Sequence, residues 1–572
     1  MKRLANGISN FQELIEGTYF YVDKTQFIEK LEGLTDKRIM YLRPRKFGKT
    51  LFTSTLQYYY DINEKDKFEK LFCNTYIGKN PTAQRNSYHI LRFNFSGIDT
   101  KNEESTINGF KNKVILGIEN FIGTYGLDFY INKDDEAENL LSNIFLAFQL
   151  QKNNEKIYVI IDEYDHFANE LLSFQTENFK SLLSKNGKVR KWYEILKEGT
   201  ETVVDRIFIT GVAPITLDST TSGFNIARDL TKEIKFNNML GFTKEEVKQI
   251  MTEIEIDEKT QKELMPIIKQ NYDGYVFTDM LEENVENIEN YKMYNSNMTL
   301  YFLNAYKEQN KVPQKLTDVN IISDYRKLEG FINLCKTKGK MNLLEKIVAE
   351  EEIYSELTEK FNSEVIFNEK ELISLLYYLG YLTISGKGYS KCKFKVPNDV
   401  IRKIYTDYYL TYISEQAKIE ADLIDTENIN HEILEEGKID KIMQLLGNYL
   451  QNLSNRDYSR FDEKYVKLIF YTLSRMLGTM VVKSELEVTE GYSDILLIPR
   501  EKINERYSIL VEFKYIKKED YEKDKGLLEK KQEEAKEQIE KCKQSEEIKL
   551  LLKLKCYTVV VIKDKIYKEE IL

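Results

Sequence analysis

The chain has 572 residues, of which 31% are charged, and its formal net charge is −10. This length predicts about four domains of roughly 150 residues, and no apolar run approaches the ~18 residues that a membrane span needs. The acidic balance argues against coating nucleic acid by bulk charge but allows a local basic groove, and with no apolar signal after the basic N-terminus we expect a cytoplasmic protein without membrane contact.

The N-terminal part, residues 1–238, has the pattern of an α/β domain. Short apolar runs alternate with longer helical stretches, which is typical of a parallel sheet covered on both faces. The predicted strands are residues 38–42, 89–95, 157–162 and 206–211. From about Leu240 the sequence becomes helical, and Thr243 and Glu246 have the spacing of a capping box. We therefore predict a helical lid over residues 239–335.

The segment between strand 38–42 and a predicted helix at residues 51–60 has the parts of a phosphate-binding loop. Such a loop needs backbone N–H groups around a phosphate, a lysine that reaches the phosphates and a hydroxyl that binds Mg²⁺. Gly48, Lys49 and Thr50 supply these parts, although Arg43 stands where the G-x4-G-K-[ST] pattern has its first glycine.

The apolar strand at residues 157–162 ends in two adjacent carboxylates, Asp162 and Glu163. In an NTPase the first holds Mg²⁺ together with Thr50, and the second polarises the attacking water. Thr210, at the tip of the next strand, is placed where related ATPases have a polar residue that senses the γ-phosphate. A strand that runs into an acidic turn and an exposed strand-end threonine are the simpler alternatives.

The predicted nucleotide-binding residues are Arg43, Arg45, Lys46, Phe47, Gly48, Lys49, Thr50, Asp162 and Thr210. Arg45, Lys46 and Arg228 are candidates for phosphate contacts, and none of the three is singled out as an arginine finger. The implied cofactors are ATP and Mg²⁺.

The middle part, residues 336–440, combines an apolar helix at 372–379 with short strands at 381–384 and 393–396 around a glycine-containing turn. Helix followed by hairpin is typical of a winged helix, and an ordinary connector with one hairpin is the alternative. Four lysines lie near the predicted wing and favour phosphate contacts, whereas a solvated hairpin is the simpler interpretation: Lys387, Lys391, Lys393 and Lys395.

The last part, residues 441–572, opens with a predicted helix over 463–482 whose apolar residues form one stripe. The elements that follow are strands at 481–488, 494–498 and 508–515, a charged helix at 521–544 and a strand at 554–562. Because side chains alternate along a strand, Leu510, Glu512 and Lys514 share one face, and Asp494 opens the preceding strand.

Two carboxylates and a lysine on adjoining strands are the minimum for metal-dependent phosphodiester cleavage, in which carboxylates hold Mg²⁺ and the lysine positions or deprotonates water. With five scattered cysteines and only three histidines, any metal is expected on carboxylates, here Asp494 and Glu512 as well as Asp162. An amphipathic hairpin with surface charges is the alternative.

Several motifs together resemble the bacterial AAA-ATPase-like family, which is usually fused to a C-terminal PD-(D/E)XK nuclease domain. They are Gly7, Phe11, the run Tyr21-Val22-Asp23-Lys24-Thr25, the loop 43–50, the acidic strand end, Thr210-Gly211-Val212, Gly241-Phe242-Thr243 and residues 272–277 (YDGYVF). In that family an arginine at the position of Arg43 is expected.

The resemblance also implies site residues in the C-terminal domain. Asp494, Glu512 and Lys514 fall on the family positions, Glu463 matches a helical glutamate that often joins the site, and Gln538 matches a glutamine of some branches. The alternatives are that Glu463 is an acid at a helix start, where the helix dipole favours it, and that Gln538 lies on a solvated helix face. Relatives commonly have Gly-Arg-x-Asp where this chain has Gly-Tyr-Ser-Asp. With Tyr492 in place of that arginine the metal ligands are unchanged, and we expect a phosphate contact or a supporting ion pair to be weaker.

The fold class predicted from these observations is α/β: a P-loop NTPase domain with a helical lid, a winged-helix-like middle region and an α/β PD-(D/E)XK nuclease-like domain. The predicted function is an ATPase that gates a nuclease dependent on Mg²⁺ or Mn²⁺, with DNA favoured over RNA as substrate. The alternative is a signalling or scaffold ATPase whose C-terminal domain binds nucleic acid or protein without cleavage. A homo-oligomer is compatible with either.

Overall fold

The computed structural model forms two compact units, Met1–Lys340 with Glu352–Ile401 and Met341–Glu351 with Arg402–Leu572. The division falls inside the predicted middle region, and the other predicted domain boundaries stay predictions. The structure describes residues 3–152, 154–174, 187–215, 226–279, 288–313, 316, 328, 330–332, 340–349, 352–361, 368–452, 462–488, 491–500, 506–551 and 553–571.

The first unit is built on a five-stranded parallel sheet. Its strands are β3 (Arg38–Leu42), β4 (His89–Asn94), β5 (Ile157–Asp162), β6 (Val204–Gly211) and β7 (Arg228–Asp229), after a small parallel pair of β1 (Arg3–Leu4) and β2 (Tyr19–Phe20). The order β4-β5-β6-β3-β7 places β6 between β5 and β3. All six residues of β5 are buried, as expected for a strand covered on both faces.

Helices surround this sheet and continue beyond it. Those described before β7 are α1 (Phe11–Glu16), α2 (Gln26–Glu32), α3 (Lys49–Tyr60), α4 (Phe68–Phe72), α5 (Tyr76–Lys79), α6 (Glu103–Tyr125), α7 (Ala137–Gln151), α8 (His166–Phe174) and α9 (Lys188–Gly199). After β7 follow α10 (Lys244–Glu253), α11 (Glu258–Tyr272) and α12 (Ser296–Gln309), and the next helix, α13 (Lys340–Val348), belongs to the second unit except for its first residue. Short 3₁₀ turns are Ile62–Lys67, Ile234–Phe236 and Ile288–Tyr291.

The predicted capping box at the start of α10 is confirmed, since the Thr243 hydroxyl accepts from the Glu246 N–H and the Glu246 carboxylate accepts from the Thr243 N–H. Glu246 also receives the buried Lys24 ammonium at 2.6 Å. The capping residue of α10 is therefore tied to a lysine more than two hundred residues earlier.

A helix and a three-stranded antiparallel sheet complete the first unit. They are β8 (Ile353–Ser355), α14 (Glu369–Tyr378), β9 (Thr383–Lys387) and β10 (Cys392–Lys395), with sheet order β8-β10-β9. The predicted strand at 381–384 was placed too early, because Gly380 has a φ of +83° and the N–H groups of Tyr381 and Leu382 cap α14 at the Leu376 carbonyl.

The second unit contains a five-stranded mixed sheet in the order β11-β12-β13-β14-β15, in which only β13 and β14 are parallel. The strands are β11 (Met480–Val488), β12 (Gly491–Pro499), β13 (Ser508–Ile516), β14 (Leu554–Ile562) and β15 (Lys565–Ile571). The described helices are α15 (Asp399–Ala417, which begins in the first unit), α16 (Thr426–His431), α17 (Asp440–Asn452), α18 (Glu463–Met476), α19 (Lys518–Lys523), α20 (Leu527–Lys543) and α21 (Glu546–Lys549), with a 3₁₀ turn at Ala421–Leu423 and a π-helical turn at Glu432–Glu436.

Helices cover both faces of this sheet. The Phe470 ring of α18 lies 5.0 Å from the Phe513 ring on one face, and Ile539 of α20 packs with Leu510 on the other. The connection between the parallel strands β13 and β14 runs through α20, because parallel neighbours need a long crossover.

The predicted helix boundaries of this unit differ from the observed ones mainly where a glycine ends or begins a helix. The helix predicted over 463–482 ends at Met476, since Gly478 has a φ of +72°. The helix predicted over 521–544 is two helices, with Gly526 at the start of the second. Strand β15 was not predicted. In the part of the chain that the structure describes, no helix is long and apolar enough to cross a bilayer.

Candidate functional site

The loop between β3 and α3 is curled by two residues in the left-handed region. Gly48, the N-cap of α3, has a φ of +90°, and Lys46 has a φ of +68°. Arg43 is not in this region, so the position that holds glycine in the general pattern needs no glycine here. Consecutive N–H groups around such a turn, followed by a helix N-terminus, favour an anion.

Lys49 lies across this loop. Its buried ammonium donates to the carbonyls of Arg43 at 3.0 Å and Pro44 at 2.9 Å. Burial lowers the pKa of Lys49, and the carboxylates of Glu163, Asp165 and Asp162 oppose that shift. Among the described residues the ammonium is thus hydrogen-bonded only to neutral carbonyl oxygens, and three acids lie nearby. A bound phosphate could replace these carbonyls as its partner.

The side chains of Arg43 and Phe47, both predicted to bind nucleotide, point into the core. The Arg43 guanidinium donates to the carbonyls of Leu42, Thr231 and Asn237 and stacks on the rings of Tyr41 and Phe277, which lie 4.2 and 4.1 Å from its centre.

The Phe47 ring packs at right angles against Tyr275 and Phe277. Both side chains therefore anchor the loop in the core, and nucleotide binding by Arg43 and Phe47 stays a prediction that rests on their backbone.

The loop is also held from outside by the start of α12. The carbonyl of Lys46 accepts from the Ser296 hydroxyl at 3.1 Å and the Asn297 N–H at 3.2 Å, and the carbonyl of Arg45 accepts from the Asn295 amide at 3.4 Å. The side chains of Arg45 and Lys46 are half-exposed at this rim. Sequence reasoning missed the bracing residues, because a stretch 250 positions away carries no local signal.

The acids predicted after β5 lie at the same sheet edge as the loop. Asp162 is fully buried, and neither of its oxygens has a hydrogen-bond partner among the described residues. Its closest cation is Arg92, at 3.7 Å. Burial raises the pKa of Asp162, with Arg92 and the Thr50 hydroxyl opposing the shift.

Thr210 lies between the acidic strand end and the loop, since β6 separates β5 from β3 and Thr210 is paired with Tyr41. Its buried hydroxyl has no hydrogen-bond partner in the described structure. Glu163 adopts a φ of +53°, and its Oε2 atom is 3.8 Å from His166 Nε2. The structure thus brings Thr50, Asp162, Glu163 and Thr210 to one edge.

Two further residues of this edge were missed. The Asp165 carboxylate is buried and accepts the N–H groups of Val212 at 3.0 Å and Ala213 at 2.6 Å, so it ties the acidic strand end to the end of β6. Gly211 leaves room for it, because a Cβ there would lie 2.2 Å from Asp165 Oδ1. Arg92 is the second residue that was missed, because a single arginine in a strand does not indicate by itself that it lies near a site.

The donors at this edge fit Mg²⁺ and a nucleotide. A buried carboxylate without a hydrogen bond and a neighbouring hydroxyl are hard oxygen ligands of the kind that Mg²⁺ takes alongside phosphates and water. Arg228 on the edge strand β7 is paired with Asp36 at 3.0 Å and Glu233 at 2.8 Å, and its contact with a phosphate stays a prediction.

In the second unit, Asp494 and Glu512 lie where β12 and β13 part. The ladder pairs residues 495–497 with 509–511 and stops there. Beyond that point Asp494 Oδ2 accepts the Phe513 N–H at 2.7 Å, and Glu512 Oε2 accepts the Asp494 N–H at 3.3 Å. Side-chain carboxylates replace the missing ladder bonds, so Asp494 lies within β12 instead of opening it as predicted.

The other predicted residues of the C-terminal site converge on this point. Lys514 Nζ lies 2.8 Å from Glu512 Oε1, 3.5 Å from Gln538 Oε1 of α20 and 3.9 Å from Glu463 Oε1 of α18. Burial and the neighbouring Asp494 raise the pKa of Glu512, and Lys514 opposes that rise. All five predicted residues are therefore within one cluster.

Lys467 is a member of the cluster that sequence reasoning missed. It follows Glu463 by one helical turn, and its ammonium lies 2.8 Å from Glu463 Oε1 and 2.5 Å from Asp494 Oδ1. Although burial opposes its charge, Asp494 and Glu463 raise the pKa of Lys467. The i, i+4 spacing from Glu463 was the available signal.

The cluster is compatible with a hydrated cation. Among the described residues no three acidic, histidine or cysteine side chains form a ready metal cage. Mg²⁺ does not require one, since it keeps several waters and binds through one or two carboxylates. The Lys467 ammonium already stands in for a cation against Asp494. The side chain of Tyr492 lies outside the described residues.

Comparison with known proteins agrees with this division of the chain. Residues 5–221 match the family described as "Predicted AAA-ATPase", and residues 461–571 match the "PD-(D/E)XK nuclease superfamily". A protein of Azotobacter chroococcum mcd 1, described as "Uncharacterized protein in vnfD 5'region", is 27% identical over 255 residues. The match covers 43% of this chain and 44% of that relative, so the chain spans less than half of its length.

Proposed function

We propose that this chain, which carries a predicted AAA-ATPase domain and a domain of the PD-(D/E)XK nuclease superfamily, binds and hydrolyses ATP and cleaves DNA with Mg²⁺. The observation that carries the nuclease proposal is the cluster of Asp494, Glu512 and Lys514 at the point where two strands part. At that point the two carboxylates and the Lys514 ammonium are brought within contact distance of one another, which is the set of groups that metal-dependent phosphodiester cleavage needs.

In the nucleotide site each residue has a distinct task. The loop N–H groups and Lys49 bind the phosphates, and Thr50 with Asp162 would hold Mg²⁺, which neutralises phosphate charge when bound. Glu163 lies next to Asp162 at the strand end and orients the attacking water. Thr210, with a buried hydroxyl, reports the γ-phosphate.

In the nuclease site Asp494 and Glu512 would hold the metal, which activates water and stabilises the charge on the scissile phosphate. Lys514 orients that water, because its ammonium is already fixed by Glu512 and Gln538. Glu463 restrains the two lysines from the helix side.

The test is cleavage of plasmid, linear and single-stranded DNA and of RNA by the full chain, with Mg²⁺ or Mn²⁺ and with EDTA. We expect metal-dependent cleavage of DNA that Lys514→Ala abolishes and Lys518→Ala, a matched change at an exposed lysine of α19, preserves. Cleavage that survives Lys514→Ala equally would refute the assignment.

We further propose that the ATPase gates the nuclease. This follows from two phosphate-handling sites in one chain and is tested by the same assay with and without ATP, in wild type and Lys49→Ala. Cleavage rates that respond to ATP in the wild type alone support gating; equal rates in all four conditions contradict it.

The second candidate function is a nucleotide-dependent switch that binds nucleic acid or protein without cutting. It is favoured by one observation: both oxygens of Asp494 and of Glu512 already have partners within the protein. If the protein binds ATP but cleaves no nucleic acid with Mg²⁺ or with Mn²⁺, this result would favour the switch over the nuclease.

The lid over residues 239–335 and the winged-helix interpretation also remain proposals. Gly241 donates to the Phe47 carbonyl and Ser296 to that of Lys46, which supports a segment that closes on the nucleotide loop. The hairpin between β9 and β10 exposes Tyr389 at its tip, but α14 is buried along most of its length and Lys393 is paired with Glu352. DNA reading by α14 is therefore not favoured.

A further inference from the structure

The acids of the C-terminal cluster are not equivalent in how they are held. Glu512 Oε1 and Oε2 bind Lys514 and the Asp494 N–H, and Asp494 Oδ2 binds the Phe513 N–H. These three oxygens are satisfied from within β12 and β13. The fourth, Asp494 Oδ1, is satisfied from a different element, by Lys467 of α18 at 2.5 Å.

The position of Lys467 is that of a bound cation. Its ammonium bridges Asp494 and Glu463, which belong to a strand and a helix, and the side chain is about three-quarters removed from solvent. Two acids brought together at a buried site repel each other, so a positive charge between them stabilises the cluster without any metal.

The contact with Lys467 is also the one with which a metal at Asp494 Oδ1 competes. Of the four oxygens, Asp494 Oδ2 and Glu512 Oε2 are held by backbone N–H groups of the strand pair, and the other two are held by flexible lysine side chains. Lys514 belongs to β13 itself, whereas Lys467 reaches Asp494 from α18. Displacing Lys467 therefore leaves the β12–β13 contacts intact, and displacing either backbone N–H disturbs the strand pair.

We propose that Lys467 is a built-in counter-ion of the nuclease site, which occupies the cation position at Asp494 and is displaced when a divalent metal binds. The inference rests on the proposed nuclease function. Its consequence is that the site stays charge-compensated at low metal concentration and exposes its acids only when metal competes successfully with the ammonium.

The first test is calorimetric titration of the full chain with Mn²⁺ alone, in an Asp162→Asn background that removes the proposed carboxylate ligand of the nucleotide site. Lys467→Met is expected to bind Mn²⁺ about tenfold more tightly than the parent, because a contacting positive charge is gone. Lys464→Met, which removes the same charge from an exposed position of the same helix, is expected to leave the affinity nearly unchanged.

The second test needs no substitution and so does not depend on the variant folding. An amine-acetylating reagent is applied to wild-type protein with and without Mn²⁺, and modification of each lysine is followed by mass spectrometry. Acetylation of Lys467 is expected to rise several-fold with Mn²⁺, at the metal concentration that calorimetry gives, while that of Lys464 stays constant.

Metal binding with unchanged acetylation of Lys467, or an unaltered affinity in a folded Lys467→Met, would overturn the displacement and leave the nuclease proposal standing. No Mn²⁺ binding by parent or variants, together with no cleavage, would overturn the proposed nuclease function itself.

Discussion

Asp162 in the first unit is fully buried with neither oxygen hydrogen-bonded to a described residue, whereas Asp494 in the second has both oxygens engaged by Lys467 and the Phe513 N–H. Burying a carboxylate without a hydrogen bond is costly, and the one ion pair of Asp162 among the described residues is the long contact with Arg92, so a further cation at the proposed nucleotide site would stabilise it. In the C-terminal cluster the protein itself supplies a cation, the Lys467 ammonium.

The difference separates two ways of keeping acids ready for metal. At the proposed nucleotide site a metal would add a ligand contact to Asp162, whose ion pair with Arg92 is 3.7 Å long. At the proposed nuclease site a metal would replace the Lys467 ammonium at Asp494. The following four predictions test the two sides of this comparison.

The largest effect is expected from Asp494→Ala. It removes the proposed metal ligand and the acceptor of the Phe513 N–H, and we expect DNA cleavage to fall by about 1000-fold or more. Initial rates on plasmid DNA measure it, and Asp520→Ala in the exposed part of α19 is the control. A variant that still cuts at a tenth of the wild-type rate would remove Asp494 from the site.

Lys49→Ala is expected to weaken nucleotide binding by about 100-fold, since charge-assisted hydrogen bonds to phosphate are lost. Equilibrium binding of a fluorescent ATP analogue measures the change. Lys37→Ala, which removes an exposed lysine paired with Asp205 just before β3, is the control. Similar affinities for both variants would show that the loop does not bind phosphate through Lys49.

Gly211→Ala tests whether the acidic edge of the nucleotide site is as rigid as its packing indicates. The added methyl would lie 2.2 Å from Asp165 Oδ1 and 2.6 Å from the Tyr164 ring. We expect a loss of about 2–3 kcal/mol, seen as a lower melting temperature. Gly123→Ala, in open space on α6, is expected to stabilise slightly; equal melting temperatures would mean that this edge adapts freely.

Asp273 is a buried carboxylate at which no metal is proposed, so it shows what burial without a metal does to the pKa of an acid. Burial raises its pKa to about 6, opposed by the Gly274 N–H, Lys292 and Lys269 and assisted by Glu289. Because the folded pKa exceeds the unfolded value of 3.8, this group stabilises the fold fully below pH 3.8, and that contribution is lost as the pH rises to about 6.

Thermal unfolding between pH 4 and 7 measures the effect. Asp273→Asn is expected to reduce the decline in stability over this window by at most about 3 kcal/mol. Identical pH profiles for the variant and the wild type would show that Asp273 is already neutralised or ionised in both states.

The strands were the most predictable part of the fold. The runs 38–42, 157–162 and 554–562 were placed with their observed ends, because continuous apolar stretches bounded by polar residues can only lie inside a covered sheet. Strands such as β7, a two-residue edge, and β15, which is mostly half-exposed, were not predicted since neither has an apolar run.

The candidate sites likewise contain residues that could be predicted from the sequence and residues that could not. Gly48, Lys49, Thr50 and Asp162 were predicted from spacing, since strand, loop and helix dictate where their backbone goes. The directions of the Arg43 and Phe47 side chains could not be predicted, because they depend on contacts with Phe277 and Tyr275, which lie more than two hundred residues away in the chain. Lys467 was missed for a related reason: among 83 basic residues, one lysine carries no signal until its neighbours are known.

The amino-acid sequence by itself determined most of the order of elements, the strand-loop-helix around Gly48 and which carboxylates follow or lie in strands, since apolar periodicity and short-range backbone chemistry act within a few positions. Only the tertiary structure decided which of those carboxylates are paired. Asp162 and Asp494 look alike in the chain, each at a strand that leads toward a site, but pairing depends on cations from elements distant in sequence. Coulomb interaction depends on distance in space, which only the packed helices and strands define.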